Sequence, residues 1–316
     1  MRSHSRRRFV GHIFSALAVS LSLSALLLGA NMAHAQNERQ LDTVYGTVTV
    51  SGQPERVVVL DEGALDTALS VGVQPIAALA SRGGTDVADY LQQYVTEPIE
   101  IVGTVREPNI EAIFRLRPDL ILASSETNEA LYKKLSRIAP TVVPDSKDTF
   151  SDWKATVRLF GDALDKEDEL EKILAELDQQ LEAMHAYWQT PQTVSVVRWN
   201  PQGPILMSSK LFTGQLIQAA GLNTLPLADD LGERPHSDTL SLENLVQIDA
   251  DWLLLASLTS DGEAALIEAQ KQPVFQRLSA VQNDQVKVVD GQVWSSGYGP
   301  LAAAVIIQDL SQLAAQ

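Results

Sequence analysis

Residues 109–124 read NIEAIFRLRPDLILAS, and residues 241–256 read SLENLVQIDADWLLLA. In the first stretch Asn109-Ile110-Glu111 opens a helix, Arg117-Pro118-Asp119 closes it, and Leu120-Ile121-Leu122-Ala123 is an apolar run that suits a strand buried on both faces. In the second, Leu242-Glu243-Asn244-Leu245 opens the helix, Asp249-Ala250-Asp251 closes it, and Trp252-Leu253-Leu254-Leu255 is the strand. The two align without a gap, Glu111 with Glu243 and Asp119 with Asp251, each pair 132 positions apart. One helix-strand unit used once in each half predicts two lobes of similar build.

Upstream of the first copy, Val44 to Val50 is extended and β-rich, and Arg56-Val57-Val58-Val59-Leu60 is a β-branched run read as a buried strand. Asp61 to Val71 follows helical spacing, and Gln74-Pro75-Ile76-Ala77-Ala78-Leu79 reads as the next strand. Strands alternating with helices predict a parallel sheet. Between the copies, Ser151 to Trp188 lacks proline and carries Leu170, Ile173, Leu174, Leu177 and Leu181 at helical spacing. Gly161 and the acidic stretch after it divide this region into a shorter helix and a longer one from about Lys166. Downstream, Thr193 to Val197 reads as a strand, Thr213 to Ala220 as a helix closed by Gly221, Val286 to Val289 as a strand and Leu301 to Ala315 as a last helix. The predicted fold is α/β: two lobes with mainly parallel central sheets, residues 36–150 and 191–316, joined through a helical segment, 151–190, whose long helix bridges them.

The N-terminus carries Arg2, Arg6, Arg7 and Arg8, then an uncharged apolar stretch from Ile13 to Leu28, then Ala33-His34-Ala35 before Gln36. This order predicts a signal peptide over residues 1–35, cleaved after its small-residue site. A membrane anchor is the rival reading, but the apolar run is shorter than the roughly 20 residues a spanning helix needs. The run Ser5-Arg6-Arg7-Arg8-Phe9-Val10 resembles the twin-arginine export motif.

The chain holds 24 basic and 40 acidic residues, and removing the signal leaves 20 basic against the same 40 acidic ones. So acidic a surface has no basic stripe for phosphates, which argues against nucleic acid and points to small solutes or basic protein surfaces. The absence of cysteine excludes both a disulfide and a lipid-modified cysteine at the cleavage site, so the expectation is a freely diffusing monomer in a Gram-negative periplasm. About 280 residues of exported chain suit two domains of ordinary size.

Four stretches carry a resemblance: Pro54 to Leu60, Val102-Gly103 followed by Pro108 to Glu111, Arg117 to Ser124, and Gly291-Gln292-Val293-Trp294. In their order and spacing they resemble the landmarks of the periplasmic ferric-siderophore and cobalamin-binding proteins, the ferric-citrate and ferric-hydroxamate binders most of all. The resemblance implies two Rossmann-like lobes joined by a single long rigid helix, in the solute-binding component of an ABC importer, which holds a ferric siderophore between its lobes and delivers it to an inner-membrane permease with its ATPase. The siderophore itself coordinates the iron, so the implied protein needs no cofactor. Cobalamin or haem are alternative cargoes of the same fold.

Ligands of open parallel sheets sit beyond the carboxyl ends of the strands. That rule selects Arg82, Arg106 and Ser125 in the first half, and Arg198, Trp199, Trp294 and Tyr298 in the second, with Arg234 in the polar loop before Ser241. Arginine offers a planar fork of donors to carboxylate or hydroxamate oxygens, and tryptophan and tyrosine offer apolar walls with a polar edge. Arg106 and Trp294 are the foremost candidates by resemblance, although the family arginine often sits one position earlier, where this chain has Val105. Glu111 and Glu243 resemble the pair of glutamates, one per lobe, that docks onto arginines of the permease.

Other chemistries find less support. Direct metal coordination needs a cluster of ligands, and beyond the signal only His185 and His236 remain. No G-x-S-x-G, G-x-G-x-x-G, P-loop or cysteine nucleophile is present, so a hydrolytic enzyme is a remote alternative despite the His236-Ser237-Asp238 run.

Overall fold

The structure, a computed structural model, describes residues 38–188 and 190–315. The expected signal peptide, residues 1–35, lies outside the described residues. Two strands, β1 (Glu38–Thr43) and β2 (Gly46–Ser51), pair with each other ahead of the first large sheet. That sheet begins with β3 (Val57–Leu60), whose four side chains are all buried because helices cover both faces and β4 (Ala77–Ala80) and β7 (Leu120–Ala123) flank it in parallel. Its order is β6-β5-β4-β3-β7-β8, with β5 (Glu100–Thr104), β6 (Glu107–Pro108) and β8 (Thr141–Val142). Helix α1 (Glu62–Ser70) leaves β3 immediately, capped by Asp61, whose carboxylate accepts from the Ala64 amide at 2.9 Å.

The second sheet runs β10-β9-β12-β13, with β9 (Thr193–Asn200), β10 (Gly203–Leu206), β12 (Trp252–Ser257) and β13 (Val286–Asp290). Strand β11 (Asn223–Thr224) pairs with the start of β9. Only β10 runs antiparallel.

The repeat noted in the sequence is a repeat in space. Helix α2 (Ile110–Leu116) leads into β7 and the 3-10 helix Leu242–Ile248 into β12. Leu120 pairs with Val57 of β3, and Trp252 with Val194 of β9. Asp119 accepts from the Glu55 and Arg56 amides at 2.9 and 3.0 Å, and Asp251 from the Thr193 amide and hydroxyl at 2.7 and 2.8 Å. The same carboxylate therefore pins the start of β3 in the first half and of β9 in the second. The copies differ in winding: Asn109 caps α2 through the Ala112 amide, whereas Ser241 makes no side-chain cap and its helix takes the tighter 3-10 form.

Helix α3 (Glu129–Leu135) follows β7, and the short α4 (Ser146–Ser151) follows β8. Between the sheets lie α5 (Trp153–Ala163) and α6 (Glu167–Met184), the latter about 27 Å long. Gly161 marks where they meet, since a side chain there would overlap Leu170. The α6 stripe is buried at Leu170, Leu174, Leu177 and Leu181. After β10 and β12 come α7 (Phe212–Ala219) and α8 (Ser260–Gln270), then α9 (Gly291–Ser295) and α10 (Pro300–Ala314). Helix α6 does not stand alone between the sheets: α10 packs on α6 and runs back onto α1, and α5 packs on both α1 and α6. One apolar cluster accordingly extends from Val57 and Ala64 through Phe160, Leu174 and Ile306 to Val196 and Leu254. No helix among the described residues is long and apolar enough to cross a membrane.

Candidate functional site

A cleft of about 820 Å³ lies where the carboxyl ends of both sheets meet, at the position the parallel topology dictates. Its walls come from the ends of β3 and β7, from α4, from β9, and from the loops before α7 and α10. This volume falls in the range of small-molecule sites.

Two guanidinium groups enter it, one from each half. Arg82 follows β4; its side chain lies 3.7 Å from the Glu62 carboxylate and 3.5 Å from that of Glu126. Arg198 sits on β9 and differs in kind. It is half-buried, its Nη1 donates to the Ser295 carbonyl at 3.3 Å, and its Nε is buried with no acceptor among the described residues. Burial, and secondarily the charge of Arg82, lowers the pKa of this guanidinium. A partly desolvated cation that lines the cleft without a carboxylate partner among the described residues is a receptor for an anionic oxygen.

The floor is acidic and already engaged. Tyr298 donates to Asp61 at 2.7 Å and Ser296 to Glu62 at 2.8 Å, and burial pushes both carboxyls above their ordinary range. Gly63 permits this contact, because a side chain there would overlap the Tyr298 ring. Close by, Gln292 donates to the Ser81 hydroxyl at 2.7 Å and accepts from the Asp89 amide at 3.0 Å. The loop from α9 to α10 is thus stitched to the first turn of α1 along the bottom of the cleft.

Of the residues selected from sequence, Arg82, Ser125, Arg198, Trp294 and Tyr298 line the cleft, whereas Arg106, Arg234 and Trp199 do not. Arg106 is exposed in the turn between β5 and β6, and its neighbour Val105 lines the cleft instead. Arg234 is exposed and pairs with Asp238 at 3.5 Å, while Glu233, Pro235 and His236 on either side reach the cleft. Trp199 is corrected by the pleat of β9. Side chains alternate across a strand, so Arg198 shares a face with Val194 and Val196, and Trp199 shares the other with Val197. There it packs edge-on against Phe275, sealed in a separate core. Trp294 borders the cleft only at its floor: the side chain is fully buried and its indole donates to Asp309 of α10 at 2.8 Å, so it presents no exposed wall.

Lys147 and Phe150 of α4, and Lys210 before α7, line the cleft without having been selected from sequence. The carboxyl-end rule applies to the loop after β8 as well, but a strand of only Thr141 and Val142 gives too weak a pattern to locate that loop. No cluster of three metal-ligating side chains occurs among the described residues. Glu111 and Glu243, away from the cleft, are both exposed in the first turns of their helices.

Comparison with known proteins agrees with this geometry. The model of a family described as periplasmic binding protein matches residues 57–293. The Fe(3+) dicitrate-binding periplasmic protein FecB of Escherichia coli K12 is 30% identical over 270 residues, covering 84% of this chain and 86% of that protein. The Fe(3+)-citrate-binding protein YfmC of Bacillus subtilis 168 is 28% identical, covering 89% and 88%. Among solved structures, Staphylococcus aureus SirA complexed with staphyloferrin B is 28% identical and superposes with a TM-score of 0.76, covering 87% of this chain and 98% of that one.

Proposed function

We propose, since the chain belongs to the periplasmic binding protein family, that it is the solute-binding component of an ABC importer and captures a ferric siderophore in its cleft. The observation that carries this reading is Arg198, a half-buried guanidinium without a carboxylate partner among the described residues, which lines with Arg82 a cleft large enough for a chelate. The iron arrives coordinatively saturated by its own chelator, which suits a site that offers Arg82, Lys147, Arg198 and Lys210 and has no metal-ligand cluster among the described residues. Carboxylate and hydroxamate chelates fit the cations better than a neutral cargo does. The relatives and the solved neighbour named above bind ferric citrate and staphyloferrin B by their descriptions, which supports the same ligand chemistry.

In this reading residues 1–35 are a cleaved signal, of twin-arginine type by its Arg6-Arg7 pair, and the product is a monomer in a Gram-negative periplasm. Residues 36–150 and 191–316 act as the two lobes, with 151–190 between them. No catalytic step is assigned. Delivery is to an inner-membrane permease with its ATPase, and Glu111 and Glu243 register the loaded protein on it, one acid per lobe, through charge steering.

Calorimetric titration of the purified protein with ferric citrates, ferric hydroxamates and ferric catecholates tests the capture step. One anionic class should bind with a Kd below about 1 μM. Absence of binding by the whole panel would remove the siderophore reading.

A further inference from the structure

Among the described residues, Val246 and Phe114 are the two most exposed large apolar side chains, at 71% and 66%. They are also equivalent under the internal repeat, each three residues after its glutamate: Glu111 and Phe114 on α2, Glu243 and Val246 on the 3-10 helix. Residues three apart are neighbours on an α-helix surface and eclipse on a 3-10 helix, so in both halves the acid and the apolar side chain stand side by side. The residues between them hold each helix down, with Ile113 and Leu245 both fully buried. A lone exposed apolar side chain is unremarkable. The same acid-plus-apolar pair, exposed at equivalent places in both halves, is a pattern that solvent does not require.

Both pairs lie toward the carboxyl ends of the sheets, the side on which the cleft opens, because each helix runs back from its first turn into the start of a parallel strand.

We infer that each half carries a two-part docking patch, Glu111 with Phe114 and Glu243 with Val246, for the periplasm-facing surface of the importer's membrane subunits. That partner presents, twice, a basic side chain beside an apolar pocket. Charge complementarity selects it, since two acids on a strongly acidic chain seek a basic surface and disfavour a second copy of this chain. The doubling selects it too, because two like patches suit a partner with two like sites, as a pair of similar membrane subunits offers. The inference rests on the reading that Glu111 and Glu243 face the permease. It divides the labour: the acids speed encounter and are screened by salt, while Phe114 and Val246 are desolvated on docking and set how long the complex lasts.

The test is iron-55 uptake into spheroplasts of a strain lacking the gene for this chain, driven by added purified protein loaded with the ferric chelate that binds it best. The half-saturating protein concentration is read at about 50 and 500 mM NaCl. Phe114→Ser with Val246→Ser should raise it about tenfold or more at both salts. Glu111→Ala with Glu243→Ala should raise it at low salt and abolish its salt dependence. Unchanged melting temperature and unchanged chelate affinity accompany both effects. If the serine pair leaves uptake at the wild-type level while the alanine pair impairs it, the apolar half of the patch is refuted and the docking reading stands. If neither pair changes uptake, the docking reading itself fails. If sedimentation shows a dimer that the serine pair dissolves, with uptake intact, the patch is a self-association surface and the inference is overturned.

Discussion

Asp66 and Leu301 are 235 residues apart in the chain and 2.8 Å apart in space, the Leu301 amide donating to the Asp66 carboxylate. The Ala302 amide donates to the other oxygen at 2.8 Å, and the Tyr90 hydroxyl to the same oxygen at 3.0 Å. Asp66 thereby caps α10 from within α1, meeting the free amides and positive end of a helix that belongs to the other end of the chain. Gly299 makes room, because a side chain at its φ of +135° would overlap the carboxylate.

Burial pushes the Asp66 carboxyl up to about 7 despite these three donors. An acid whose folded pKa exceeds its unfolded value binds more protons when folded, so stability falls as pH rises from the ordinary carboxyl value of 3.8 through about 7. Asp61 and Glu62, raised by the same cause, add to the trend with the same sign. The melting temperature should therefore be higher at mildly acidic pH than at pH above about 8, and Asp66→Asn should flatten the dependence. A wild-type melting temperature that rises from mildly acidic to mildly basic pH contradicts this account. Differential scanning calorimetry across that range decides it.

Arg198 makes a different prediction. Its charge is desolvated and lacks a carboxylate among the described residues, so the fold gains little from it. Arg198→Ala should leave the melting temperature unchanged or slightly raised, and should weaken chelate binding by about ten- to a hundredfold, the worth of a charged hydrogen bond. Arg198→Lys should recover only part of that, because a single ammonium does not reproduce the fork. Affinity that survives Arg198→Ala would take the residue out of the binding site.

Trp294 should behave in the opposite way. Replacing it with Phe removes the indole bond to Asp309, which keeps its ion pair with Lys287 at 2.9 Å. The expected loss is about 1–3 kcal/mol of stability, with chelate affinity changed less than about threefold. Paired denaturation and calorimetry separate the two effects; a loss of affinity without a loss of stability would restore the wall role.

The repeat made the fold legible because each copy is local: a helix, a turn with an aspartate, and an apolar strand, all within sixteen positions. The α6 stripe was legible for the same reason. The facing of Trp199 was not, since β9 is buried on both faces from Val194 to Val197, Ser195 included, and the polar/apolar alternation that would orient Arg198 and Trp199 is lost there. Nor could local pattern reveal the ties between residues 61–66 and 292–302, which join distant parts of the chain. One hint stood in the open: Asp66 sits among Ala64, Leu65, Ala68 and Leu69 in the apolar stretch of α1, and a buried acid needs donors from elsewhere.

Those ties bear on how far the cleft can close. Asp61 with Tyr298, Glu62 with Ser296, Ser81 with Gln292, and Asp66 with Leu301 and Ala302 all join the first half to one stretch of the second, and all lie along the cleft floor or directly behind it. A large hinge rotation would break several of them at once and strand buried carboxylates without donors, which is costly. Side-chain adjustment by Arg82, Lys147 and Lys210, which are exposed, breaks none of them. Ligand binding should therefore change the radius of gyration by less than about 1 Å in small-angle scattering. Tyr298→Phe combined with Ser296→Ala removes two ties while leaving Asp66 and α10 in place, and should widen the ligand-dependent change without unfolding the protein. Compaction of several ångströms in the unaltered protein would show that the floor yields on binding, and would place the selectivity of the cleft in its closure rather than in the groups that line it.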